Sequence, residues 1–238
     1  MLTQIQLGEI TVDVTLKNIK NIHLSVHPPI GSVRISAPSH MNLDTIRVFA
    51  IAKLGWIKQQ QQKLREQERE TSREFINRES HYVWGKRCLF QIVEVNQSPT
   101  VHLQPGRMIL RIRPEATEDR RKAVVEEWYR SELKSAASKF ITKWQPLLNV
   151  EIKRFFVQKM KTKWGSCNPK KKTIRLNSEL AKKPQACLEY IVVHELLHLL
   201  EPTHNERFRA LLNQYMPKWT VHRQTLNRLP LRHENWEY

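Results

Sequence analysis

The sequence predicts an α+β protein, and three observations predict it. Segments with alternating apolar residues fill residues 5–36 and return over 81–115, and each is followed by a stretch with apolar residues at helical spacing. A third group of short strands over 151–177 leads into an almost wholly apolar helix. That helix carries His194-Glu195-Leu196-Leu197-His198. With 238 residues, 40% of them hydrophobic and seven of them tryptophan, the chain can build one large core and a smaller companion. The expected division is an accessory part over residues 1–80 and a larger domain over 81–238, with its core at 117–215.

In chain order, Ile10–Leu16, Ile22–Val26 and Ser32–Ser36 alternate at period two and are split by the turn residues Pro28-Pro29-Ile30-Gly31. They predict a small antiparallel sheet with one wet face. Asn42 or Asp44 then starts a helix whose apolar side is Leu43, Ile46, Val48, Phe49, Leu54 and Ile57. Its polar continuation from Gln59 to Glu70 reads as solvated helix. No internal repeat is evident in the sequence.

Strand character returns at His81–Gly85, Leu89–Val93 and Met108–Ile112, with Pro105-Gly106 as a turn. A helix follows from about Thr117, with Ala123, Val124, Trp128, Leu133, Ala137 and Ile141 near helical spacing, and stops by Pro146. Ile152–Val157, Lys161–Ser166 and Thr173–Leu176 read as three further strands, with Asn168-Pro169 and lysines 170–172 turning between the last two. Pro184 suits the first turn of the next helix. Leu188, Ile191, Val192, Val193, Leu196 and Leu199 make that helix apolar nearly all round, as a central buried helix requires. A last helix, Glu206–Tyr215, would pack Phe208, Leu211 and Leu212 beneath it.

The chemistry concentrates on the apolar helix. His194 and His198 are four residues apart, so their imidazoles share one face and can grip one metal ion. Zinc suits neutral imidazole nitrogens, and a catalytic zinc needs three protein ligands. Pro202 turns the chain back after the helix, which makes His204 the best-placed third ligand and Glu201 its rival. Glu195 points about 100° around the helix from His194, where it can reach a metal-activated water without occupying the ion. Cys187 lies roughly 10 Å along the axis from His194, too far to share the ion, and belongs to the core. Cys167 has no CxxC partner and is not read as a ligand.

Charge narrows the partners. Forty Lys and Arg against 23 Asp and Glu give a net charge of +17 and a pI near 10. From Lys153 to Lys183 there are eleven basic residues and one acid, Glu179. That run reads either as a solvated face or as an electrostatic guide for an anionic partner, including nucleic acid or a nucleotide. Three cysteines without paired spacing make no disulfide framework, which fits a reducing, cytoplasmic setting. Neither a signal peptide nor a membrane span is expected.

The combination of Lys161-Thr162-Lys163-Trp164-Gly165-Ser166-Cys167, Ile174-Arg175-Leu176-Asn177, Tyr190 through His198, and His204-Asn205-Glu206-Arg207-Phe208 resembles the YgjP-like metallopeptidase family, which is related to the SprT-like and WLM zinc peptidases. The opening sheet and helix ending in Gly55-Trp56-Ile57 also resemble that family, so the likeness covers nearly the whole chain. Asn205 and Arg209 depart from it, since the family often has Ser and Trp there. The resemblance implies a zincin-like domain: a long helix, a small antiparallel sheet, the metal helix and a turn carrying the third ligand.

It also implies a zinc-dependent hydrolase, first of all a peptidase, with one Zn²⁺ on His194, His198 and His204. Glu195 would act as general base and acid. Trp164, Gly165, Ser166 and Asn177 are the candidate substrate-binding residues, although Trp164 and Gly165 also read as a packed aromatic and a point of close approach to the helix. A peptide would add to the sheet edge beside that helix, at Lys161–Cys167 or Thr173–Asn177. Tyr215, His222 and Arg175 are candidate oxyanion partners, and Met216 before Pro217 reads as packing. Two alternatives keep the metal but change the partner: hydrolysis of nucleoside triphosphates such as UTP to release pyrophosphate, and a protease that works on DNA-bound proteins.

Overall fold

The computed structural model describes residues 2–27, 31–66, 73–160 and 163–228. The expected turn at Pro28-Pro29-Ile30, the end of the polar helix at 67–70 and Lys161-Thr162 lie outside the described residues. The chain forms two compact units, the first ending at Ser72 and the second beginning at Arg73.

The first unit is a four-stranded sheet of β1 (Leu2–Leu7), β2 (Ile10–Lys17), β3 (His23–His27) and β4 (Ser32–Pro38), in the order β1-β2-β4-β3. Alternation sends Ile5, Leu7, Val12, Val14, Val33 and Ile35 to the buried face. The sheet is mixed rather than antiparallel, because β2 and β4 pair in parallel. Two hairpins meet through their second strands, and those strands run the same way. The helix breaks at Lys53 into α1 (Leu43–Ala52) and α2 (Leu54–Glu66). Asn42 caps α1 by accepting a bond from the Thr45 N–H at 2.8 Å. Ile46, Ala50 and Ile57 are buried, whereas the expected apolar positions Leu43 and Val48 stay exposed.

The second unit opens with a sheet of the same plan. It contains β5 (Ser80–Val83), β6 (Lys86–Glu94), β7 (Thr100–Gln104) and β8 (Arg107–Ile112), in the order β5-β6-β8-β7 with β6 and β8 parallel. The two four-stranded sheets thus repeat one topology that the sequence does not show. Trp84 and Gly85, expected inside a strand, both take positive φ and form the two-residue turn between β5 and β6. Their N–H groups donate to the carbonyls of Ala181 and Lys182.

The long helix α3 (Glu118–Leu148) is capped by Thr117 and ends at Asn149 in the left-handed region. It runs through Pro146 and does not stop there. Its buried stripe is Val125, Tyr129, Leu133, Ala137, Ile141, Trp144 and Leu148, so the early part turns inward one position later than expected.

The third sheet holds β9 (Arg154–Gln158), β10 (Gly165–Asn168) and β11 (Thr173–Asn177) in the order β10-β11-β9. β11 pairs antiparallel with β10 and parallel with β9, so this sheet too is mixed. β11 is the central strand, which removes Thr173–Asn177 as an open edge. β10 is an edge among the described residues.

A 3-10 turn, Ser178–Lys182, leads into α4 (Gln185–Leu197), with Pro184 at its N-cap. Nine of the 13 residues of α4 are buried, so it forms the centre of the core. The helix α5 (Glu206–Tyr215) matches its expected bounds, and α6 (Trp219–Arg228) is an addition that the apolar spacing did not reveal. No described helix is long and apolar enough to cross a membrane.

His81 tests the core of this unit. Its ring is stacked on Phe90 at 4.6 Å, and its side chain is 1% exposed. Burial, helped by the charges of Arg73 and Lys182, pushes its pKa down to about 3 despite Glu79 at 3.2 Å. The unfolded chain binds a proton there near pH 6.5 and the folded chain does not, so stability falls as pH drops from about 6.5 toward 3. The slope is roughly 1.4 kcal/mol per pH unit. Urea unfolding at pH 7 and pH 4.5 should show that His81→Phe reduces the acid loss by about 2 kcal/mol.

Candidate metal centre

α4 holds His194 and His198 one turn apart near its C-terminal end, where the backbone turns at His198. The return segment then brings His204 back against them. One nitrogen from each of the three imidazoles lies within 4.8 Å of the others. Nε2 of His194 and Nε2 of His204 are 2.9 Å apart. Nδ1 of His198 is 3.1 Å from the carbonyl oxygen of Glu201. A carbonyl can only accept, so Nδ1 carries the proton and Nε2 keeps its lone pair.

Glu201, the rival ligand, turns its carboxylate to the N–H and hydroxyl of Thr203, at 3.3 and 2.9 Å. These bonds hold its pKa down and tie the turn that presents His204. Asn205 then caps α5 by accepting a bond from the Phe208 N–H at 3.0 Å. Serine performs the same cap, so Asn205 keeps the local structure.

Phe208 forms a floor beneath the cluster. Its ring centroid is 4.9 Å from His194, 4.7 Å from His198 and 4.9 Å from His204. It is buried, it stacks on His198, and it meets the other two rings edge-on. Tyr190 meets His194 edge-on from one turn earlier, and Trp219 of α6 stacks on Tyr190. Burial pushes the His194 pKa down to about 3, with His198, His204 and Arg223 adding to the effect. Burial likewise lowers His198. Neutral imidazoles are the form that ligates zinc, so the donor set fits that ion.

Glu195 faces the sheet. It is 4% exposed, and its Oε2 is buried without a hydrogen-bond partner. Burial pushes its pKa up to about 8, against the pull of Lys163. The neighbour that makes room for it is Gly165 on β10. A Cβ at Gly165 would stand 2.5 Å from Oε1 and 2.8 Å from Cγ of Glu195.

The other sequence-predicted residues divide. Trp164 is half-buried and packs on the core, in keeping with its packing role. Ser166 lies on the outer face of the sheet, opposite Arg175. Asn177 is buried, and its carboxamide donates to the carbonyls of Met160 and Lys163 at 2.8 and 2.9 Å. It braces the segment leading to β10. Met216 is buried and closes α5.

Arg175 is exposed over Phe156, and the His222 carbonyl faces the Cys187 thiol. Among the described residues, the aromatic rings that touch the three imidazoles from outside the cluster are Phe208 and Tyr190. Tyr190 was legible only as part of the motif and Trp219 not at all, because α6 lacks strong apolar spacing.

A family model for the YgjP-like metallopeptidase domain matches residues 20–229. The chain belongs to the YgjP-like family. That membership makes it a hydrolase of the metallopeptidase type with a metal cofactor. No curated protein matches it. Solved structures match part of the chain, two of them metallopeptidase zymogens. One is the metallopeptidase zymogen of Pyrococcus abyssi abylysin, at 18% identity and TM-score 0.35, covering 40% of this chain and 99% of that one. The other is the metallopeptidase zymogen of Methanocaldococcus jannaschii jannalysin, at 24% identity and TM-score 0.33, covering 40% and 92%.

Gly165→Ala should push the Glu195 carboxyl aside. The expected result is a stability loss of about 1–3 kcal/mol in urea unfolding. Turnover should fall about 100-fold, the effect of a displacement near 1 Å at a catalytic group, the role expected of Glu195 from the sequence.

Proposed function

We propose that this chain is a zinc-dependent peptidase in which His194, His198 and His204 hold one Zn²⁺ and Glu195 moves the proton. The observation that carries the reading is the convergence of three imidazoles on an aromatic floor, with a buried carboxyl oxygen lacking a hydrogen-bond partner in the adjacent helix position. Zinc, when bound, polarises a scissile carbonyl and acidifies a water.

The chain's own residues supply the rest. The Glu201 carbonyl fixes the His198 tautomer, and Phe208 keeps the back of the cluster dry. Glu195 takes a proton from the attacking water and returns it to the leaving amine. Its raised pKa suits a group that must hold that proton between the two steps, and a nearby cation would draw the value down toward neutrality. β10, the open edge beside Glu195, would receive the substrate as an added strand.

We also propose that α3, the third sheet, α4 and the His204 turn form a zincin-like domain, with the N-terminal unit as an accessory part. The order of these elements along the chain supports that arrangement. The three free thiols fit a reducing, cytoplasmic setting.

The test is a paired activity profile on zinc-loaded protein, offering a complex peptide pool and a panel of nucleoside triphosphates. Glu195→Gln should retain one zinc per chain and lose about 10²- to 10⁴-fold of the peptide cleavage. His204→Ala should release zinc to a chelator that leaves the parent protein loaded. Pyrophosphate release that depends on Glu195, with peptides untouched, would sink the peptidase reading.

Phe208→Leu should keep the fold and weaken zinc binding by about tenfold in chelator competition, the lower end of what supporting residues around a metal contribute.

A further inference from the structure

The outer face of the third sheet is not used by the chemistry above, and its composition is one-sided. Residues 152–178 contain nine Lys or Arg and no Asp or Glu. The register places Phe156, Arg175 and Ser166 side by side across β9, β11 and β10. Their neighbours Ile174 and Leu176 point to the core, so these three project outward. Phe156 is 39% exposed, and the Arg175 guanidinium carbon lies 5.9 Å from its ring centroid. The aromatic face thus holds the cation above the sheet. The next row, Arg154, Thr173 and Asn168, carries a second exposed cation.

We propose that this face selects the substrate: it takes an extended peptide segment with acidic side chains at alternate positions, the first of them opposite Ser166 and paired with Arg175. The inference rests on the peptidase reading and on β10 as the strand that receives the substrate. A strand added to β10 lies two strand spacings, roughly 9.6 Å, from β11. A glutamate and an arginine reaching toward each other span that gap, and Ser166 between them is too small to block the contact. Residues two apart on the added strand face the same way, so the next outward side chain falls on the row of Asn168, Thr173 and Arg154. The lysines at 170–172 lie in the turn beyond it. Charge complementarity therefore repeats at the period of the strand.

The experiment uses full-length, zinc-loaded Glu195→Gln protein, so that bound peptides persist. Three fluorescein-labelled extended peptides, identical except for Glu, Gln or Lys at alternate positions, are titrated by fluorescence anisotropy. The Glu peptide should bind about tenfold more tightly than the Gln peptide, and the Lys peptide most weakly. Arg175→Gln should remove the preference and Arg175→Glu should reverse it toward the Lys peptide. Lys134→Glu, an equal change in net charge on α3, should leave the order unchanged.

Equal affinities, no peptide binding at all, or an order that ignores Arg175 would overturn the proposal. So would a single-stranded DNA oligonucleotide that binds more tightly through Arg175, since nucleic acid would then be the occupant. The same peptides given to protein with Glu195 intact separate the two readings. Cleavage without acid preference defeats this surface and leaves the peptidase standing. Acid-selective binding without cleavage defeats the peptidase and leaves the surface.

Discussion

The close approach of Gly165 to Glu195 is the constraint on which the rest of the site depends. A carboxyl group taken out of water is costly unless something compensates it, and one oxygen of Glu195 is buried without a partner. The Glu195 side chain can lie against β10 in this position only because that strand carries no side chain at residue 165. Any larger residue would collide with the Glu195 side chain and displace its carboxyl. The edge of β10 and the Glu195 carboxyl thus lie in direct contact, one residue from the His194 imidazole.

The scaffold around that contact divides the work between apolar burial and short polar ties. α4 is held by apolar neighbours on nearly every side, which makes it a rigid base for its two histidines. The third histidine comes from an exposed turn, and polar bonds hold it there. Thr203 ties Glu201, Glu201 orients His198, and Asn205 starts the helix that brings Phe208 beneath all three rings. An aromatic floor thus covers one side of the three imidazoles, while His204 stays exposed on its turn.

The basic run before α4 serves more than one purpose. Lys182 pairs with Glu179 at 2.7 Å and its ammonium lies 5.5 Å from the Tyr129 ring centroid, while Lys183 is buried, so the end of the run belongs to the interior. Lys163 stands near Glu195 and acts on its charge. Arg154 and Arg175 project from the far face of the sheet. One compositional feature of the sequence therefore separates into structural, electrostatic and surface parts once the strands alternate their side chains.

The sequence by itself determined the helix that carries His194, Glu195 and His198, the turn that returns His204, and the α+β class. These depend on local rules: four-residue spacing stacks side chains on a helix, proline ends it, and period-two alternation makes strands. Strand pairing was a different matter. All three sheets contain a parallel pair that alternation cannot distinguish from an antiparallel one, because the period of two is the same in both. Tertiary structure alone decided that Thr173–Asn177 lies inside its sheet, that Asn177 braces the chain, and that α6 brings Trp219 to Tyr190. It also decided that the close approach expected at Gly165 falls on the Glu195 side chain. Such contacts join residues tens of positions apart, and their spacing along the chain carries no record of the distance between them in space.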